Sequence, residues 1–307
     1  MARWLCSILL GAFCWGRPAS AQPKQAPAAP EPSAWLGPSS RLVPEPRPRY
    51  VGLIESARSV PLESLGLIAL ITYTGFKDWN WGSAAFRLSS EGWFGMKTGS
   101  GGLDKIGHAY ATYMVSELLY WRLRSTHDDD HVVSLYPALF GTALYQYIEL
   151  FDGYSKDHGY AYEDVIMNTA GVALSLLRNS FPVLRKVLDF RLLYYPSGGR
   201  TFQPMIDYEG QKFFGVVKLA GIPGLARTPA RYVELLGGFY TRGFPRYADA
   251  DEKSKHYLLG VGLSLPATIL DPLERSHGQP FTFLNLASNY FQSPLYLSTE
   301  RVRRRPR

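Results

Sequence analysis

From Val132 to Ile148 the chain runs for 17 residues without a charge, and then places Glu149 and Asp152 within a single turn. A run of that length and content is too long for a strand and reads as a helix buried in a core. The fold must therefore wrap other elements around it, and it must accommodate two carboxylates where the run ends. Carboxylates are almost never buried unpaired. Partners occur elsewhere at helical spacing: Asp104 and His108 are four residues apart, as are Asp164 and Asn168, while Glu149 and Asp152 are three apart. Each pair shares one helix face. Small residues, Gly107 and Ala111 on one helix and Gly171 and Ser175 on another, permit close approach and predict that the three pairs converge at one end of a bundle. What neutralises the cluster is then His108, the adjacent Lys105, a proton or a metal ion.

The pattern of elements is that of an α+β fold. Helices are predicted over Pro61 to Phe76, Asp104 to Arg122, His131 to Phe151 and Glu163 to Leu177, the first with a proline in its opening turn, where the missing N–H does no harm. Their short connections favour neighbouring antiparallel helices, so residues 51–181 are expected to form a helical bundle of about four helices. After Pro182 the segments become short, aromatic and β-branched, bounded by Gly and Pro: Lys212 to Ala220, Arg231 to Thr241 and His256 to Leu265 read as strands of a small antiparallel β-sheet. In the last of these Leu259, Val261, Leu263 and Leu265 alternate with Gly260, Gly262 and Ser264, giving one apolar face and one bare face that could lie against helices or another chain. Pro280 to Phe291 reads as a C-terminal helix closing the strand-rich region, residues 182–300.

The N-terminus predicts the compartment. Arg3, an apolar run from Trp4 to Trp15, and Ala19-Ser20-Ala21 before Gln22 fit a cleavable signal peptide over residues 1–21. Both cysteines, Cys6 and Cys14, lie inside it, so the exported chain is expected to have no disulfide and to depend on its core. Bulky Phe13 before Cys14 fits a lipid-attachment signal poorly. Residues 22–50 hold eight prolines and read as an extended tether. The chain carries a net charge of +7, but Arg3 and Arg17 leave with the signal and five arginines lie in the final RVRRRPR, residues 301–307. The body is therefore neutral, which argues against nucleic acid as a partner. The Arg-rich tail is expected to be either a solvated end or a contact to anionic lipid at an envelope membrane surface. Attachment is expected to be peripheral, since the 17-residue run includes Pro137 and Gln146 where a spanning helix needs about 20 apolar residues.

Plainer roles exist for several of the candidates. Asp104 follows Gly-Gly-Leu and is placed to cap a helix N-terminus. Asp164 sits in a first turn, where negative charge suits the helix dipole, and His108 near a helix start is expected to favour its neutral form. Glu149 and Asp152 have no such account. Other motifs fail: Asp152 to Glu163 has calcium-loop length but puts Tyr154 and Lys156 at ligand positions and Asp157 at the turn glycine. The HDDDH stretch, His127 to His131, reads as a solvated turn between helices. Gly260 to Leu265 lacks the third glycine of a dinucleotide fingerprint, and neither a nucleophile elbow nor H-E-x-x-H occurs.

D-K-x-x-H over Asp104 to His108, E-L-F-D-G over Glu149 to Gly153 and G-Y-A-Y-E-D-V-I-M-N-T-A-G over Gly159 to Gly171 resemble, in order and spacing, the YfiM-like predicted periplasmic lipoproteins, a family of unknown function. More distantly the same skeleton is similar to VanZ-like membrane proteins, which pair D-K-x-x-H with a later Glu and a D-x-x-x-N-x-x-G helix. The similarity covers about residues 90 to 178, and Asp207-Tyr208-Glu209-Gly210-Gln211 followed by strands is similar to longer members. It implies that Asp104, Lys105, His108, Glu149, Asp152, Asp164, Asn168 and Gly171 are signature positions; it implies no reaction. Two expectations follow. The first is an exported, periplasmic or outer-membrane-associated protein without catalytic activity or cofactor, whose polar cluster is a hydrogen-bonded network. The alternative is a metal-dependent hydrolase of a lipid or cell-wall substrate, in which Asp104, His108, Glu149, Asp152 or Asp164 bind a divalent metal ion and a remaining carboxylate activates its water.

Overall fold

The computed structural model describes residues 52–125, 130–198, 202, 204, 207–244, 253–277 and 279–304. The expected signal segment and tether lie outside the described residues, as do the side chains of the HDDDH stretch. Helices α1 (Leu53–Ser59) and α2 (Pro61–Asp78) meet at 77°. Pro61 has a fixed φ and no N–H, so it can begin a helix but not continue one. Val60, at the bend, is fully buried against Leu119, Tyr120 and Leu123. Among the described residues no single helix is long and apolar enough to cross a membrane; the bent α1–α2 pair meets that test by length and composition only.

Helix α3 (Leu103–Arg124) is central, packing on α4 (Asp130–Asp152), on α5 (Tyr162–Ser180) and on the sheet. On one side Leu144, Tyr145 and Ile148 of α4 enclose Trp81 together with Leu67 and Ile71 of α2. On the other, Leu103, Tyr110 and Tyr113 of α3 pack on Leu192, Phe213 and Tyr290. The crossing of α3 with α5 is set by Gly171, where a Cβ would lie 2.0 Å from the Ala109 carbonyl oxygen and 2.1 Å from Thr112 Oγ1. Gly107 does not share this seam. Its nearest neighbours, Phe213 and Tyr208, are 4.0 Å from a Cβ built there, because positions two apart on a helix do not face the same partner. A two-residue parallel pairing of β1 (Leu88–Ser89) with β2 (Tyr160–Ala161) ties the loop before α3 to the start of α5.

After α5, the short α6 (Pro182–Val187) leads into a five-stranded antiparallel sheet of consecutive neighbours: β3 (Leu188–Tyr194), β4 (Gln211–Lys218), β5 (Val233–Arg242), β6 (Ser254–Leu263) and β7 (Tyr296–Arg304). Helices α7 (Asp271–His277) and α8 (Gln279–Ala287) connect β6 to β7. The α+β class is as the sequence predicts, and the three expected strands are β4, β5 and β6. Strands β3 and β7 are additional. The expected closing helix is α8, which stops at Ala287 and is followed by a strand. The Arg-rich segment is a correction too: Arg301, Arg303 and Arg304 lie in β7, paired with Tyr257, Lys255 and Ser254. A backbone ladder orders them, and charge on an edge strand discourages further pairing with other chains.

The sheet curls nearly into a barrel. Tyr290 and Gln292 bond the outer edge of β3, Leu192 N–H donating to the Tyr290 carbonyl at 2.9 Å and Gln292 N–H to the Leu192 carbonyl at 3.0 Å. The chain then enters β7 on the opposite edge, and the Tyr296 ring meets Phe214 of β4 at 5.3 Å. Leu193, Phe214, Val216, Leu236, Tyr240 and Leu258 fill the interior. The bare face of β6 points inward rather than toward helices or another chain: a Cβ on Gly262 would meet Leu236 Cδ1 at 3.1 Å. A sheet so tightly curled leaves no room for side chains at every inward position.

Candidate functional site

The cluster is built from the first turn of α3. Gly102 adopts φ 93°, a left-handed conformation open to glycine, and turns the chain into the helix without a side-chain cap. Asp104 is therefore not the cap the sequence suggests. Its own N–H donates to Ser100 Oγ at 3.2 Å, and its carboxylate is left to accept from the Tyr208 hydroxyl and, at 3.1 Å, from Lys105 Nζ. Lys105 is buried, and its three ammonium protons each have an acceptor: Asp164 Oδ1 at 2.6 Å, Glu91 Oε2 at 2.7 Å and Asp104 Oδ2.

One turn on, His108 Nδ1 lies 3.2 Å from Asn168 Oδ1 and 3.5 Å from Glu149 Oε1, and Asn168 Nδ2 donates to Glu149 Oε1 at 2.9 Å. On the opposite side of the ring, Nε2 is 3.7 Å from Asp164 Oδ1 and 3.9 Å from Asp104 Oδ1. Glu149, Asp104, Asp164 and Asn168 are buried, whereas a quarter of the His108 side chain remains exposed. His108 and, on the far side of Lys105, Glu91 are thus the groups through which the cluster meets solvent. Asp152 makes its hydrogen bond outside the cluster, the Trp81 indole N–H donating to its Oδ1 at 2.6 Å, and acts on Glu149 through its charge.

Burial and mutual charge set the protonation. Burial alone disfavours the His108 cation, but Asp104, Asp164 and Glu149 overcome it and raise the imidazole to about 9, reversing the expectation of a neutral ring. Burial likewise penalises the Asp104 carboxylate, yet His108 and Lys105 hold it well below the usual carboxylate range. For Glu149 burial wins, pushing it up to about 8 despite His108. Burial raises Asp164 and Asp152 as well. Near neutral pH Lys105 and His108 are the cations of the cluster, and Glu149 accepts from Asn168 Nδ2. One donor atom from each of Asp104, His108 and Asp164 lies within 4.8 Å of the others, the spacing a single cation could bridge.

Members of the cluster that sequence reasoning missed are Glu91 and Tyr208. Glu91 had no helical periodicity to mark it. Tyr208 lies in the D-Y-E-G-Q segment, whose polar start before a strand was visible without its destination. A larger omission is a second network between α3, α5 and the sheet. Glu117 accepts from Arg178, Asn179, Ser175 at 2.8 Å and the Tyr290 hydroxyl at 2.8 Å. Arg178 continues to Asp189 at 3.0 Å, which also accepts from Lys218 at 2.6 Å and Arg191 at 2.5 Å; Arg191 reaches Glu234 at 2.6 Å. Three carboxylates face three cations, all buried. The signal was there: Glu117 is the one charge between Ala109 and Trp121, and Asp189 and Arg191 alternate onto one strand face.

Residues 90–180, which carry most of the first cluster and Glu117, Ser175, Arg178 and Asn179 of the second network, match the family model described as "Predicted periplasmic lipoprotein (DUF2279)". No curated protein and no solved structure matches the chain. The segment that holds the cluster is therefore similar to a family of unknown function whose members are predicted to reside in the periplasm, in agreement with an envelope location for an exported chain.

Proposed function

We propose that the chain is a non-catalytic envelope protein, attached peripherally at a membrane surface, in which the cluster locks three helices and the loop before α3 into one arrangement. The observation that carries this reading is the position of Lys105. Its ammonium lies among Asp164, Glu91 and Asp104, at 2.6, 2.7 and 3.1 Å, where a bound cation would otherwise be needed to hold the acids together. With Asn168 bridging His108 and Glu149, the network closes on its own residues.

A second reading has one observation in its favour. The Asp104, His108 and Asp164 donor atoms are close enough to share a divalent metal ion, with His108 open to solvent, which suits a hydrolytic centre acting on a lipid or cell-wall substrate. The two separate cleanly. Under the first, the purified protein carries no stoichiometric metal, a chelator leaves its melting temperature unchanged, and Lys105→Met destabilises by about 3–5 kcal/mol because the buried acids lose their cation. Stoichiometric metal, together with a chelator-induced fall in melting temperature that His108→Ala abolishes, would replace it with the second.

A further inference from the structure

The curled sheet has an outer face, which α3 covers over β3, β4 and Phe239 of β5, while the loop through Phe94 and Ser100 covers Thr241 and Lys255 at the same end of β5 and β6. Beyond that cover the face is bare: Leu259 is 72% exposed and Leu297 79%, with Leu235, Tyr257, Val261 and Leu263 exposed around them. The strand register joins these residues into one patch, since Leu235 pairs with Val261 and Val261 with Leu297, while Tyr257 pairs with Arg301. Contiguous apolar surface of this kind marks an interaction site.

The charges on these strands are sorted by face. Alternation along β7 puts Arg301 and Arg303 on the outer side with Leu297, both of them exposed. Glu234 and Glu300 take the opposite side, where Arg191 holds Glu234, and Tyr240 and His256 hold Glu300. No carboxylate lies on the outer face of β5, β6 or β7. An apolar patch with a tyrosine and arginines along its border, and acids excluded, complements a surface that is apolar inside and anionic at its rim.

We infer that the outer face of β5–β7 is the surface by which this protein docks on an anionic lipid bilayer, with Leu259, Leu297 and Val261 entering the acyl boundary and Arg301 and Arg303 at the headgroup phosphates. This gives the peripheral attachment proposed above a location and rests on that reading, but is independent of whether the cluster binds metal.

The test combines co-sedimentation of the full chain with hydroxyl-radical footprinting. Vesicles of phosphatidylglycerol mixed with phosphatidylcholine are compared with phosphatidylcholine alone. Anionic vesicles should protect Tyr257, Leu259 and Leu297 from oxidation and neutral ones should not. Arg301→Gln with Arg303→Gln should weaken binding about thirtyfold and remove its salt dependence. Leu259→Ser with Leu297→Ser should abolish the protection without lowering the melting temperature, both side chains being exposed. Binding that leaves these side chains as reactive as in solution would assign attachment to another part of the chain and overturn the inference. Absence of vesicle binding would do the same, as would concentration-dependent protection without lipid, which would give the patch to a second copy of the chain. None of these outcomes bears on the metal and chelator measurements that test the cluster.

Discussion

Gly171→Ala puts the helix arrangement to a quantitative test. The added Cβ would lie 2.0 Å from the Ala109 carbonyl oxygen, where ordinary contact begins at 3.4 Å, so α3 and α5 must separate by about 1.4 Å. Both obstacles, a backbone carbonyl and the Thr112 hydroxyl held to the backbone at 3.1 Å, are poorly able to yield. Overpacking of this sort costs about 1–3 kcal/mol, toward the upper end when backbone is the obstacle. The same separation stretches Lys105–Asp164 and His108–Asn168, adding about 1 kcal/mol for each weakened buried contact. Alanine offsets about 1 kcal/mol through its helix propensity. The net loss is about 3–4 kcal/mol, or a fall of roughly 6–15 °C in melting temperature for a domain of this size. Gly107→Ala is the internal control: with nothing nearer than 4.0 Å it should be neutral or stabilising by up to about 1 kcal/mol. Thermal melts of the two variants followed by circular dichroism decide it. A Gly171→Ala protein as stable as the parent, or a Gly107→Ala protein equally weakened, would refute the assignment of the helix seam.

Raising the pH should destabilise the protein. His108 binds its proton more tightly folded, at about 9 against 6.5, so its contribution is complete below 6.5 and is lost as pH rises through 9; Glu149, raised from 4.5 to about 8, acts in the same direction. The His108 part is on the order of 3 kcal/mol, and a melting temperature that is flat or rising from pH 6.5 to 9 would contradict it. In the second network, Arg178→Met should cost about 3–5 kcal/mol by leaving Glu117 and Asp189 short of a cation. Combining it with Glu117→Gln should cost less than the sum of the two single changes, and denaturant titration of the double-mutant cycle reads the difference.

How far the sequence disclosed all this depended on periodicity. The uncharged run ending at Glu149, and the four-residue spacings of Asp104 with His108 and Asp164 with Asn168, announced a meeting of helices, and those four residues do meet. Asp152 shares the spacing yet faces Trp81, because one helical turn at the end of α4 is enough to change which neighbour it meets. The identity of the cation at the centre was open in sequence, since adjacency of Lys105 to Asp104 says nothing about where a long flexible side chain ends. Strand β3 escaped notice because its charges, Asp189 and Arg191, look like a surface segment until both are found buried against α5 and β5. The Arg-rich segment misled for a related reason: composition favoured a solvated tail, whereas pairing with β6 is a backbone matter to which arginine is no obstacle.

The second network also dictates an order of assembly. Glu117 and the Tyr290 hydroxyl that caps it are 173 residues apart in sequence, and Tyr110 bonds the Tyr290 carbonyl across 180. A chain delivered from its N-terminus has all of α3, α4 and α5 in hand while Asp189, Lys218 and Tyr290 have yet to arrive, so Arg178 and Glu117 face one another in a half-built, hydrated interior. Contacts this distant close slowly, because the intervening chain must be ordered before they return any free energy. Only when Tyr290 and Gln292 dock on the edge of β3 does the following strand find its place on the far side of the sheet. The contacts expected to close last are therefore those of Tyr290 with α3 and of β7 with β6.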